Sequence, residues 1–294
     1  MRIAIAGSSG LIGTVLVESL RADGHEVLRL VRRPVSASSE VSWNPALGEI
    51  DSSALVGVEA IINLAGAGVG DHRWTKKYKN AILQSRVQST ETIAKVAAQL
   101  KPAVLINGSA IGWYGDTGTN KVDESAPNAM GFLPDVVRQW EAATKPAADA
   151  GVRVVLARTG LVMSPKGGAW SRMLPLFKFG LGGKLGSGKQ FWSFISIADE
   201  VAALKFLLTN EQLSGPVNLT APTPATNTQI TKALGKVLRR PTLFSVPAIA
   251  LKLVLGEFSQ EVLGSNRVLP KKLLAAGFTF AHPDIESATR TLLS

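Results

Sequence analysis

The N-terminal stretch constrains the fold most. The apolar run Arg2-Ile3-Ala4-Ile5-Ala6 passes directly into Gly7-Ser8-Ser9-Gly10-Leu11-Ile12-Gly13. In residues 11–22, Leu11, Ile12, Val15, Leu16, Ser19 and Leu20 then recur at helical spacing. A buried strand, a glycine turn and an amphipathic helix, in that order, fit few architectures. Gly7 permits the tight turn, Gly10 lets backbone approach a pyrophosphate, and Gly13 lets the helix pack closely on the strand. Free N–H groups and the helix dipole favour a diphosphate at the helix start. Gly7, Ser8, Ser9, Gly10, Leu11, Ile12 and Gly13 are therefore candidate cofactor-binding residues.

The same alternation continues along the chain. Residues 26–31, 60–64, 103–107 and 152–157 read as further apolar strands, and residues 75–99 and 132–150 as helices. Continuous apolar strands separated by helices predict a parallel sheet covered on both faces. Right-handed crossovers make this an α/β, Rossmann-type doubly wound sheet. The texture changes after Arg158. Residues 164–190, rich in Gly, Lys and Ser, read as a mobile loop over a site. Phe191 to Ile197 reads as a short strand, with Asp199 capping a helix over about 200–209. A strand at 216–219 follows, then a helix to about 239 capped by Thr226 or Asn227. Short helices at 246–256 and 270–276 complete a small, mostly helical C-terminal cap. The expected division is a Rossmann domain over 1–163, completed by roughly 191–220, and a substrate-side loop and cap over 164–294.

The tip of the second strand selects the cofactor. It reads Leu30-Val31-Arg32-Arg33-Pro34, and no carboxylate follows until Glu40. An acid at this place would bind free ribose hydroxyls, whereas Arg suits a 2′-phosphate. Two guanidiniums can grip that phosphate through charge-assisted bonds. Arg32 and Arg33 therefore predict NADP(H). Asn63, Leu64 and Ala65 end the next strand, and Ala65-Gly66 is small enough to admit the adenosine side.

Composition excludes several classes. Hydrophobic residues are 46% and charged residues 18%, enough for a sizeable core and too apolar for disorder. There is no cysteine, so disulfides and thiolate chemistry are absent. The three histidines lie far apart in sequence, and no metal site is expected. Lys and Arg exceed Asp and Glu by 32 to 22, a net charge of +10, yet the basic clusters are only pairs. That pattern points to an anionic small-molecule ligand rather than nucleic acid. No apolar stretch approaches a membrane span, and the short N-terminal apolar run breaks too early for a signal peptide. A cytoplasmic protein with no membrane partner is expected, with a homo-oligomer possible.

At this point the chain resembles the extended short-chain dehydrogenase/reductases. More narrowly, it resembles the YfcH-type NADP-binding epimerase family with a C-terminal extension. The matching stretches include Arg73-Trp74, Ser85-Arg86 with Thr90, Ser109 to Gly115, Trp140 to Ala143, Ala157 to Gly160 and Gly180 to Gly188, with further matches from Asn218 to Phe278. The resemblance implies NADP(H) binding. It places Ser109 at the superfamily's hydroxyl donor and Arg86 near the active-site floor. Some members carry a cell-division-inhibitor label, which leaves a catalytically weak, partner-binding regulator as the alternative. The superfamily's Tyr-x-x-x-Lys pair is missing. Tyr78 and Tyr114 are the two tyrosines, followed at the fourth place by Ile82 and Gly118. The missing Tyr would fall on the helix entered through Gly131 to Val136. Ser109 and Tyr114 are the remaining catalytic candidates, and Arg86 and Arg158, the latter at the end of the fifth strand, join the candidate cofactor-binding residues. The expected activity is that of an NADP(H)-dependent oxidoreductase or nucleotide-sugar-epimerase-like protein with an unidentified substrate.

Overall fold

A computed structural model describes residues 1–292. Its main sheet is built outward from β1 (Arg2–Ala6), where Ile3, Ala4, Ile5 and Ala6 are all fully buried. After α1 (Leu11–Ala22), the chain lays β2 (Glu26–Val31) and β3 (Glu40–Asn44) on one side of β1. The short β4 (Glu49–Ile50) closes that edge antiparallel to β3. The chain then crosses to the other side of β1 and adds β5 (Ala60–Asn63), β6 (Val104–Ala110) and β7 (Arg153–Thr159), all parallel. Crossing over between β1 and β5 creates a crevice beyond their carboxyl ends, where such sheets bind ligands.

Helices cover both faces, which is why the strands are apolar without alternation. Leu16 and Leu20 of α1 pack on one face with Leu204 and Leu207 of a later helix. On the other face lie Ile93 and Ala97 of α2 (Lys76–Leu100). Residues 132–150, expected as one helix, form α3 (Phe132–Ala142) and α4 (Lys145–Asp149). The break follows from Pro146, which lacks an N–H, and from Thr144, whose hydroxyl bonds the Glu141 carbonyl at 2.7 Å.

The stretch 164–190, expected as a loop, contains regular elements. After β8 (Leu161–Met163) comes α5 (Gly168–Lys178) and then β9 (Gly183–Leu185). Trp170, Leu174 and Phe177 share one helix face and are buried, so three apolar anchors outweigh the surrounding glycines. Next come β10 (Phe191–Trp192), β11 (Phe194–Ser196) and α6 (Ile197–Thr209). Ser196, not Asp199, caps α6, its hydroxyl accepting from the Asp199 N–H at 3.0 Å. The Asp199 carboxylate instead accepts from the Ala281 and His282 N–H groups, tying the C-terminal segment down.

The chain returns to the main sheet at β12 (Gly215–Leu219), parallel to β7. β13 (Ala225–Thr226) pairs with β10, and Thr226 caps α7 (Asn227–Leu238) through a full capping box. β14 (Phe244–Val246) pairs with β9. The cap ends in α8 (Ala248–Leu255), α9 (Ser259–Leu263), α10 (Lys271–Ala275) and α11 (Ile285–Arg290).

Candidate cofactor and substrate site

The glycine turn is stereochemically fixed. Gly7 has φ +73°, and a Cβ there would lie 2.6 Å from the Leu64 carbonyl carbon. A Cβ on Gly13 would lie 2.2 Å from the Gly7 oxygen. Around Gly10 there is more room, its nearest obstacle being the Gly7 oxygen at 3.3 Å. No side chain caps α1 at Gly10, so Leu11, Ile12 and Gly13 offer first-turn N–H groups toward the crevice. A Cβ on Gly167 would meet the Leu11 side chain at 3.1 Å, so the segment entering α5 lies across this turn. Ser8 is buried and receives a hydrogen bond from Arg29 Nε at 3.2 Å; Ser9 is exposed.

Arg32 and Arg33 do not share one fate. Arg33 forms an ion pair with Glu40 and also bonds the Pro34 carbonyl and the Ser36 hydroxyl. The Arg33 guanidinium and the Ser36 N–H hold the Glu40 carboxyl down at about 2. Arg32 is exposed and has no hydrogen bond or ion pair among the described residues. Only Arg32 is uncommitted at the tip of β2.

The Asn63 side chain points into the core instead of the crevice. Its amide donates to Asn107 Oδ1 at 2.8 Å and Thr90 Oγ1 at 3.0 Å, and its oxygen accepts from the Ala65 N–H at 3.2 Å. Trp140 Nε1 completes this buried network at Thr90. Asn63 therefore sets the path of Leu64 and Ala65, whose backbone adjoins Gly7. Arg86 steadies the next residues. It donates to the Ala67 carbonyl at 2.9 Å and the Ile82 carbonyl at 3.0 Å, and lies over the Trp140 ring. Burial without a carboxylate partner lowers its pKa to about 10.

The second cluster sits at the ends of β6 and β7. Ser109 donates to Glu141 Oε1 at 2.6 Å. Arg158 grips both Glu141 oxygens at 2.8 Å and donates to the Tyr114 hydroxyl at 3.0 Å. Its guanidinium lies 4.0 Å from the Trp113 ring centroid. Tyr114 donates onward to Asn218 Oδ1 at 2.7 Å, and the Asn218 N–H bonds Glu124 Oε1 at 3.1 Å. All five polar side chains other than Tyr114 are buried, and Tyr114 is only 5% exposed. Burial raises the Tyr114 phenol pKa against the pull of Arg158. For Arg158, burial opposes the charge, but Glu141 outweighs it and the pKa rises.

Sequence reasoning missed Glu141, Asn218 and Arg29. The available signal for Glu141 was a carboxylate on the buried face of α3, among Pro134, Val137 and Trp140. On the helix where the superfamily's phenol was sought, this chain presents Glu141 to Ser109. Trp74 packs edge-on to Phe132 at 4.9 Å and beside Phe258. Arg172 on α5 bonds the Gly70 carbonyl and Asp71, linking α5 to the loop after β5.

A parallel sheet, a glycine turn at its crossover and free N–H groups there define a Rossmann-type dinucleotide-binding fold. The family model described as "NAD dependent epimerase/dehydratase family" matches residues 3–219, and a domain of unknown function, DUF1731, matches residues 246–292. The chain belongs to the NAD-dependent epimerase/dehydratase family. It is 48% identical over 287 residues to an epimerase family protein of Mycobacterium bovis, covering 97% of this chain and 95% of that one. The crystal structure of the human epimerase family protein SDR39U1 (isoform 2) with NADPH matches with a TM-score of 0.92 and 31% identity, covering 99% of both chains. A nucleoside-diphosphate sugar epimerase of Corynebacterium glutamicum matches with a TM-score of 0.83 and 33% identity, covering 100% of this chain but 59% of that one.

Proposed function

We propose that this protein binds NADP(H) across the Gly7–Gly13 turn and acts as an NADP(H)-dependent oxidoreductase or epimerase on a small-molecule substrate. The observation that carries this reading is the uncapped start of α1 beside a turn in which Gly7 and Gly13 have no room for a side chain. The similarity to the human protein solved with NADPH supports the choice of cofactor. The α1 N–H groups hold the diphosphate, the Leu64-Ala65 backbone borders the adenosine side, and Arg32 takes the 2′-phosphate. Bound there, the cofactor supplies or accepts a hydride.

Ser109 polarises the substrate oxygen. Its hydroxyl rotates away from Glu141, which Arg158 keeps satisfied through two bonds. The proton comes from Tyr114 or from water. Losing a positioned donor in such a site costs about 10²- to 10³-fold in rate. Screening carbonyl compounds and sugar nucleotides for NADPH consumption or epimer formation tests the reading. Ser109→Ala should cut turnover by about that factor and leave NADPH affinity unchanged. Tyr114→Phe assigns the acid: an equal loss selects Tyr114, and no loss selects water.

A second reading is an NADP(H)-binding protein that acts through a partner without turnover. The commitment of Ser109 to Glu141, and of Tyr114 to Arg158 and Asn218, favours it. Tight NADPH binding with no turnover on any tested substrate selects this reading. Failure to bind NADPH removes both.

A further inference from the structure

The formal charge is unevenly placed. Residues 164–198 and 212–256 contain ten Lys and Arg residues and no Asp or Glu, so they account for the entire net charge of +10. The same two stretches hold eight of the thirteen exposed large apolar side chains. They adjoin in the fold. β9 pairs with β14, Arg240 Nε donates to the Lys178 carbonyl at 2.9 Å, and a Cβ on Gly180 would lie 3.7 Å from Pro241. Phe179 (80% exposed), Leu243 (88%), Ile249 (74%) and Leu253 (72%) project from this face, with Ile249 and Leu253 one turn apart on α8. Exposed Lys178, Lys184, Arg239, Arg240 and Lys252 are interleaved with them. None of these five has an ion-pair partner among the described residues.

We propose that this apolar and basic face of the cap docks on an anionic lipid surface. Monomeric proteins seldom leave so many large apolar side chains projecting together. The charge says what covers them. A second copy meeting this face about a twofold axis would set like charges against like. An anionic partner is required. The apolar side chains stand out from α5's end, β14 and α8 rather than lining a groove, and a fluid interface accepts such projections without a matching shape. Lys and Arg around them reach the headgroups. No helix among the described residues is long and apolar enough to cross a membrane, so the contact is at the surface. This proposal departs from the sequence expectation of no membrane partner.

Co-sedimentation of the full chain with phosphatidylcholine vesicles, with and without phosphatidylglycerol, tests the proposal. Binding should require phosphatidylglycerol and fall with salt. Lys178→Glu and Lys252→Glu should each weaken it about fivefold or more. Leu243→Ser with Ile249→Ser should weaken it at constant charge. These surface changes should leave NADPH affinity and melting temperature unaltered, which separates the result from the cofactor reading. The proposal is overturned by no vesicle binding, by binding that ignores these variants, or by binding to polyglutamate without binding to vesicles, which would make the partner an acidic protein. A dimer in sedimentation velocity that the Leu243→Ser, Ile249→Ser variant dissociates would also overturn it in favour of a second copy.

Discussion

Because Arg33 is held by Glu40, the proposed 2′-phosphate contact rests on Arg32. Arg32→Ala should weaken NADPH binding about tenfold, near 1.4 kcal/mol, and leave NADH binding unchanged in calorimetry. Arg33→Ala acts differently. It frees the buried Glu40 carboxylate next to Arg29, and its effect should appear in both cofactors alike. The Glu141–Arg158 pair offers a second residue-scale test. Removing one partner of a buried ion pair leaves an uncompensated charge and costs about 3–5 kcal/mol, whereas removing both with apolar groups is often near neutral. Arg158→Met should therefore lower the melting temperature sharply, and adding Glu141→Leu should restore much of it. Additive losses in that double-mutant cycle would show that the two side chains act independently.

At the scale of elements, the glycine turn is where strand and helix are locked together. Gly13→Ala would put a methyl 2.2 Å from the Gly7 oxygen and 2.8 Å from the Ser8 Cα, and both obstacles are backbone. The start of α1 must shift, so NADPH affinity should fall more than tenfold with a loss of about 1–3 kcal/mol in stability. Gly10→Ala, with its one neighbour at 3.3 Å, should be much milder in stability. Equal melting temperatures for Gly13→Ala and the native chain would contradict the close packing. The strands β1, β2, β5, β6, β7 and β12 and the helix α1 were legible in advance because their signals are local, whereas β3 and β4 at the sheet edge and the short β8, β9, β13 and β14 were not read. The helix α5 was not legible, because its anchors, Trp170, Leu174 and Phe177, follow Gly167 and Gly168, are interrupted by Ser171, Arg172 and Pro175, and are buried by α7 and the segments packed around it.

For the molecule as a whole, pH dependence is set partly by Glu200. This carboxyl is fully buried at the start of α6, with one oxygen bonded by Thr159 at 2.8 Å and the other without a partner. Burial pushes it up to about 8. Between the ordinary value of 4.5 and about 8, the unfolded chain ionises this group while the folded chain keeps it protonated. Its contribution is therefore intact at low pH and is lost as pH rises through that window, on the order of a few kcal/mol. Glu200→Gln should flatten the stability profile between those limits in urea melts at several pH values. An unchanged slope would mean that another group dominates.

Nearest-neighbour chemistry determined the doubly wound sheet and the glycine turn, because strand and helix periods and glycine stereochemistry are written in adjacent residues. The uneven charge between residues 164 and 256 was also present in the sequence, although only the pairing of β9 with β14 makes it one face. Partner choice belonged to the tertiary structure alone. Arg33 lies seven residues from Glu40, Ser109 lies 32 from Glu141, and Tyr114 lies 104 from Asn218. A charged or hydroxyl side chain can satisfy itself with any acceptor the fold brings near. Which acceptor arrives depends on the order of strands in the sheet, and local periodicity carries no record of it.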